Sequence, residues 1–118
     1  MERREVNVTQ KMIDEIIVKK KKYKSPDYSA RKLADELGLS SFQLSRWLKR
    51  IYGRSYAEIV LALRIKDAKK LLEDPKKAEL AMEDIGVLVG FKNTYSFFIA
   101  FKKYAGTTPN EWKKQKQA

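Results

Sequence analysis

A glycine-punctuated unit occurs twice in this chain, and the repetition restricts the folds open to it more than any other feature. Gly38 divides one pair of short apolar-striped segments and Gly90 divides another. Each downstream segment then runs out at a second glycine, followed by a hydroxyl residue and, three positions on, a glutamate. These are Gly53, Ser55 and Glu58 in GRSYAE, and Gly106, Thr108 and Glu111 in GTTPNE. Ser or Thr three residues before Glu signals a helix start, because the hydroxyl accepts from an orphan backbone N–H while the carboxylate reaches back to the cap. In the second copy Pro109 takes the first helical position, where no N–H is needed. A small residue, Ala34 or Gly86, stands four positions before each turn glycine. Two helices crossing closely there leave no room for a large side chain.

The rest of the chain fits around the two units. Asn7, with Gln10 three residues on, opens a first helix whose stripe is Met12, Ile13, Ile16 and Ile17. It ends in Lys19 to Lys22, read as a solvated helix end favoured by the macrodipole. Lys24, Ser25, Pro26 and Asp27 form a loop. Ser29 caps a helix carrying Leu33, Ala34 and Leu37, and Ser40 with Gln43 makes a capping box for the next, which carries Phe42, Leu44, Trp47, Leu48 and Ile51. Two helices joined by a short turn with Gly make a helix-turn-helix. Ser55 starts the longest helix, through about Glu73, with Leu61, Ile65, Ala68 and Leu72 at helical spacing and Tyr56, Ile59 and Leu63 alongside. At ~1.5 Å per residue it spans about 27 Å, against ~34 Å between successive major-groove faces of duplex DNA. Ile85, Gly86 and Val89 then echo Leu33, Ala34 and Leu37. A helix from Thr94 to Tyr104 follows, and Thr108 begins a terminal helix with Trp112 for docking. The predicted architecture is all-α, about seven helices in two three-helix lobes. Residues 1–54 hold the first helix-turn-helix, 55–74 a connecting helix and 75–118 the second helix-turn-helix.

Composition narrows the chemistry. With no Cys and no His, disulfides, thiolate zinc sites, thiol nucleophiles and the commonest neutral-pH base are all missing. Glu58 and Glu111 belong to caps, and no carboxylate pair is spaced for acid–base work, so neither enzyme activity, metal nor cofactor is expected. Lys and Arg number 26 against 15 acidic residues, a net charge of +11, which suits a polyanionic partner. The longest apolar run, Ile59 to Leu63, is too short for a bilayer, and Met1 leads into charge. The reading is of a soluble, cytoplasmic, nucleoid-associated chain without membrane contact.

A tandem helix-turn-helix with one long connecting helix resembles the DNA-binding part of the AraC/XylS family of bacterial transcription regulators, over nearly the whole chain. The family's C-terminal signature is matched by Gly90, Phe91, Phe97, Phe101, Lys102, Gly106, Thr108, Pro109 and Trp112. Its N-terminal half is matched by Leu44, Ser45, Arg46, Lys49, Gly53, Ser55, Arg64, Ile65, Ala68, Leu71 and Leu72. The resemblance implies two recognition helices in adjacent major grooves on one face of duplex DNA. It also implies activation or repression of transcription, often by touching RNA polymerase. Family members commonly carry a separate sensing or dimerisation domain ahead of this module. Here Met1 to Asn7 lead directly into the first helix, which fits a small single-domain regulator or, the preferred reading, a fragment of a longer protein.

On the first recognition helix Leu44 and Leu48 anchor one face, leaving Ser41, Phe42, Gln43, Ser45, Arg46 and Lys49 on or beside the other. Arg46 leads these candidates, because its rigid fork matches the two acceptors on guanine's major-groove edge, and it coincides with the family's base-reading arginine. Gln43 can address adenine, although capping competes. Phe42 either packs on a thymine methyl or closes the domain's rim. The second recognition helix departs from the family pattern, with Phe98 and Ile99 where a small polar residue and an arginine are common. Asn93, Thr94, Tyr95 and Lys102 then supply its polar contacts, and Phe98 or Ile99 only methyl or shape contact. The result is an asymmetric reader, discriminating through the first motif and gaining affinity and register from the second. Phosphate contacts fall to Lys32, Lys49, Arg50, Arg54, Lys102 and Lys103, while Arg64, mid-helix among apolar residues, is expected to pair with a carboxylate or cap carbonyls between the lobes. The competing reading is a helical protein-interaction module that docks a partner through Phe97, Phe98 and Phe101.

Overall fold

Seven α-helices and no strand make up the described part of the chain, residues 10–117 of a computed structural model. They are α1 (Gln10–Asp14), α2 (Ala30–Leu37), α3 (Ser41–Tyr52), α4 (Tyr56–Glu73), α5 (Met82–Val89), α6 (Thr94–Ala105) and α7 (Pro109–Gln117). The expected cap at Asn7 lies outside the described residues. The chain α1 begins continues through Glu15–Lys19 as a π turn, closed by the Lys20 N–H donating to the Glu15 carbonyl at 3.0 Å. Lys21 then takes a left-handed φ of 51°, and a 3-10 turn, Lys22–Lys24, buries Tyr23. Lys22 is not a solvated helix end, as the lysine run suggests: it pairs with Glu36, which also accepts from the Tyr28 hydroxyl at 2.6 Å. Lys22 first, then Tyr28, hold the Glu36 carboxyl below its ordinary pKa.

Two compact units divide within α4, between Ile59 and Val60. One takes Asp27–Ile59 and the chain up to Tyr23; the other takes Lys24–Pro26 and the chain from Val60 onward. In the first unit α2 and α3 pack together, burying Leu33, Ala34, Leu37, Leu44 and Leu48, while α1 and its π turn contribute Ile13 and Ile17. The Tyr52 hydroxyl donates to Asp14, tying the end of α3 to α1. In the second unit Ile65, Ala68 and Leu72 from α4 meet Ile85, Val89, Phe91, Phe97, Ala100 and Phe101 in one core. Phe97 sits at its centre, with ring centroids 5.5 Å from Phe91 and 5.9 Å from Phe101. Trp112 docks α7 as expected, edge-on to Phe101 at 6.0 Å, with its indole N–H donating to Glu73 at 3.0 Å.

The repeated turn is built the same way in both units. Gly38, at φ 70°, donates to the Ala34 and Asp35 carbonyls, and Gly90, at φ 114°, donates to those of Gly86 and Val87. The next residue closes each turn: Leu39 N–H reaches the Ala34 carbonyl and Phe91 N–H the Gly86 carbonyl, both at 2.9 Å. This is the Schellman arrangement, and the left-handed residue it requires is the one glycine adopts without strain.

Gly86 also explains why a small residue precedes the turn. A Cβ placed there would stand 3.2 Å from the Cβ, Cγ and Cδ2 of Phe97. Because that Cβ is fixed to the α6 backbone, the clash moves a helix and not just a ring. Gly86→Val is therefore expected to lower stability by ~1 to 3 kcal/mol, read as a lower urea midpoint; an unchanged midpoint would show that the crossing has slack.

The two repeated caps differ in detail. Ser55 and Glu58 form the full reciprocal box, the Ser55 N–H donating to the carboxylate at 2.9 Å and the Glu58 N–H to the hydroxyl at 3.2 Å. Thr108 accepts from the Glu111 N–H at 3.2 Å, but the Glu111 carboxylate is taken by the neighbouring Thr107 hydroxyl at 2.7 Å. A second hydroxyl one residue upstream thus captures the return half of the box.

Candidate nucleic-acid interface

Capping fixes the start of both candidate recognition helices. At α3 the Gln43 N–H donates to the Ser40 hydroxyl at 3.1 Å and the Ser40 N–H to the Gln43 side-chain oxygen at 2.9 Å, so the anticipated competition is real: capping occupies the Gln43 oxygen. At α6 the Ser96 N–H donates to the Asn93 side chain at 2.8 Å. In both residues the amide NH₂ is the end that the cap does not use, so each could still donate to a base acceptor.

The buried stripe of α3, Leu44 and Leu48, leaves Ser41, Phe42, Ser45, Arg46, Lys49 and Arg50 exposed, with Gln43 at the margin. Phe42 is 70% exposed, so it does not close the rim of the unit. The Arg46 guanidinium lies over its ring at 5.7 Å, one helical turn apart. A cation–π contact of this kind is made through the ring's face and forms no hydrogen bond, so the ring steadies the arginine without consuming its donors. Arg50 lies over Trp47 in the same manner, at 5.6 Å. Lys32 on α2 and Arg54, beyond Gly53, are exposed.

On α6 the outward strip is Tyr95, 76% exposed, Ser96, Ile99, 51% exposed, and Lys102 with Lys103. Asn93 is exposed, while Thr94 is half-buried. Phe98 is also half-buried, packed against the second core with its ring 5.8 Å from Phe97. Phe98 and Ile99 thus differ in surroundings, because consecutive helical positions point about 100° apart and the core claims Phe98. Phe97 and Phe101 are wholly enclosed, which removes them as partner-docking aromatics and with them the basis of the interaction-module reading.

Two residues at this surface were passed over in the sequence. Ser96 lies three positions before Ile99 on the same strip, and Lys92 stands exposed in the turn. The helical offset from Phe97 and Phe101 would have found Ser96. Arg64 lies with its guanidinium over the Phe91 ring at 5.6 Å, lining a cleft of about 520 Å³ with Leu61, Tyr95, Ile99 and Tyr104. No cluster of three metal-ligating side chains occurs among the described residues, nor is any of their helices long and apolar enough to cross a membrane.

Two helix pairs of one design, each presenting a capped helix with a solvent-facing strip that carries basic residues, define a tandem helix-turn-helix module of the DNA-binding class. A family model described as "Helix-turn-helix domain" matches residues 33–115, and the chain belongs to that AraC/XylS-type family of bacterial transcription regulators. The Msm operon regulatory protein of Streptococcus mutans is 34% identical over 85 residues, 72% of this chain but only 30% of that protein. The C-terminal domain of the two-component response regulator yesN from Fusobacterium nucleatum superposes with a TM-score of 0.80 at 31% identity, covering 88% of this chain and 96% of that one. A transcriptional regulator of Chromobacterium violaceum with an AraC-type DNA-binding domain gives a TM-score of 0.67 at 27% identity, over 75% and 77% of the two chains. The family and the fold together make this a DNA-binding module, and the chain spans about a third of the length of the first curated relatives it matches.

Proposed function

We propose that α3 and α6 enter successive major grooves of a bacterial promoter, with the first motif supplying the hydrogen-bonded reading of bases and the second adding mainly affinity and register. The observation carrying this reading is the contrast between the two outward strips. That of α3 holds Ser45, the Phe42-stacked Arg46 and Lys49, whereas that of α6 is led by Tyr95 and Ile99. In this division Arg46 addresses guanine, Ser41, Ser45 and the Gln43 amide NH₂ its neighbours, and Phe42 a thymine methyl. Asn93, Thr94, Ser96 and Tyr95 contribute what polar contact the second half-site receives, with Phe98 supporting the strip from the core side.

Lys32, Lys49, Arg50, Arg54, Lys102 and Lys103, all exposed, neutralise phosphates. The functional lobes are residues 1–54 and 75–118, with 55–74 as the rod between them. The module works in the cytoplasm on nucleoid DNA, as part of a longer regulator with a sensing or dimerisation domain. Contact with RNA polymerase suits the outer face of α5. There Val87 and Leu88, 61% and 51% exposed, follow Glu83 and Asp84 by one turn. An apolar pair behind two carboxylates repels DNA and fits a basic protein surface.

Gel shifts across a salt series, on random duplex and on a site selected from random duplexes, test the reading. Six phosphate contacts give a log–log salt slope near −5, and specific binding keeps a large ratio over random duplex at physiological salt. A slope near zero, or equal affinity for both duplexes, would refute it.

A further inference from the structure

We infer that the second motif selects its half-site by the C5-methyl groups of pyrimidines, through Ile99 with Tyr95 beside it; this rests on the reading that α6 enters the major groove. Ile99 and Tyr95 are one helical turn apart and are the most exposed apolar side chains of α6, at 51% and 76%. The core has already taken Phe97, Ala100 and Phe101, and holds Phe98 against its edge. Half of Ile99 and most of Tyr95 therefore remain open to solvent beside the cleft they line. A branched aliphatic chain on an exposed recognition strip gains when something apolar covers it.

The major groove offers one apolar group for that purpose, the methyl of thymine. Adenine, guanine and cytosine present hydrogen-bonding edges there instead. Pressed against those edges, Ile99 strips water from donors and acceptors and replaces none of their bonds, which is unfavourable; against thymine it buries a methyl. Preference for thymine thus comes from repulsion of the other bases as well as attraction. The flanking polar groups fit this geometry. Ser96 stands on the strip between Tyr95 and Ile99, where its hydroxyl can meet the adjacent thymine O4, and Lys92 and Lys103 bracket the strip for phosphates. Cytosine carrying a C5-methyl presents the same apolar group, so methylated cytosine should be favoured over cytosine at these positions.

Deoxyuridine isolates the effect, because it removes the methyl and leaves every hydrogen-bonding atom in place. With the whole chain on its selected site, replacing the thymines of the second half-site singly by deoxyuridine should weaken binding roughly fourfold at one or two positions. Ile99→Ala should erase that difference, and since Ile99 is half exposed the variant keeps its fold. Ile99→Arg should move the preference at the same position toward guanine. A hydroxyl-radical footprint separates the two layers of inference. A protected second half-site with no deoxyuridine effect would overturn methyl selection alone. An unprotected second half-site would overturn the entry of α6 and methyl selection with it.

Discussion

Phe97→Ala is expected to remove about 3 to 5 kcal/mol of stability from the second unit. The ring is fully buried and touches Phe91, Phe98 and Phe101 with centroids 5.5, 5.8 and 5.9 Å away. Gly86 of α5 also packs against the Phe97 side chain, so truncation to Ala empties part of the α5–α6 contact as well. A loss of that size is a large share of a small domain's total stability of roughly 5 to 15 kcal/mol. Trp112 reports on it directly, since it packs edge-on to Phe101; in a Trp47→Phe background its fluorescence follows the second unit. The urea transition of Trp112 should move far toward lower urea. A midpoint within error of the parent would mean that the aromatic cluster does not carry the unit.

Arg46→Ala is expected to act on binding and spare the fold. The side chain is exposed, and its stack on Phe42 contributes only ~0.5 to 1 kcal/mol, so thermal unfolding should scarcely change. Loss of a bidentate base contact, by contrast, removes ~1 to 3 kcal/mol of discrimination, or roughly 5- to 150-fold in affinity for the selected site. Affinity for random duplex should fall much less, because only one positive charge has gone. Arg46→Lys separates charge from geometry: an ammonium keeps the charge but lacks the planar fork, so it should restore random-duplex binding and leave specific binding impaired. Equal losses on both duplexes would reduce Arg46 to a phosphate contact.

The helices were legible because their ends are written locally. Ser29, Ser40, Ser55 and Asn93 each place a side-chain oxygen on an N–H three residues on, and Gly38, Gly53, Gly90 and Gly106 all adopt the left-handed turn. Capping depends on neighbours in sequence, so sequence reveals it. What escaped depends on partners far along the chain. Lys22 reads as one lysine among several until Glu36 stands beside it, 14 positions later. Phe97, Phe98 and Phe101 form a cluster in sequence that can equally be a core or a docking face. The assembled core decides the matter, with Phe97 and Phe101 inside it and Phe98 partly buried against it. Ser96 is the exception, since the helical phase set by Phe97 and Phe101 points it outward without any distant partner.

The most direct test is methylation interference combined with hydroxyl-radical footprinting on the selected site. Two major-groove contact segments, centred roughly one helical repeat of ~10 base pairs apart on one face of the duplex, are expected. Guanine interference should be strong in the segment lost by Arg46→Ala and weak in the other. A single contacted segment, or two lying on opposite faces of the duplex, would contradict a tandem reader.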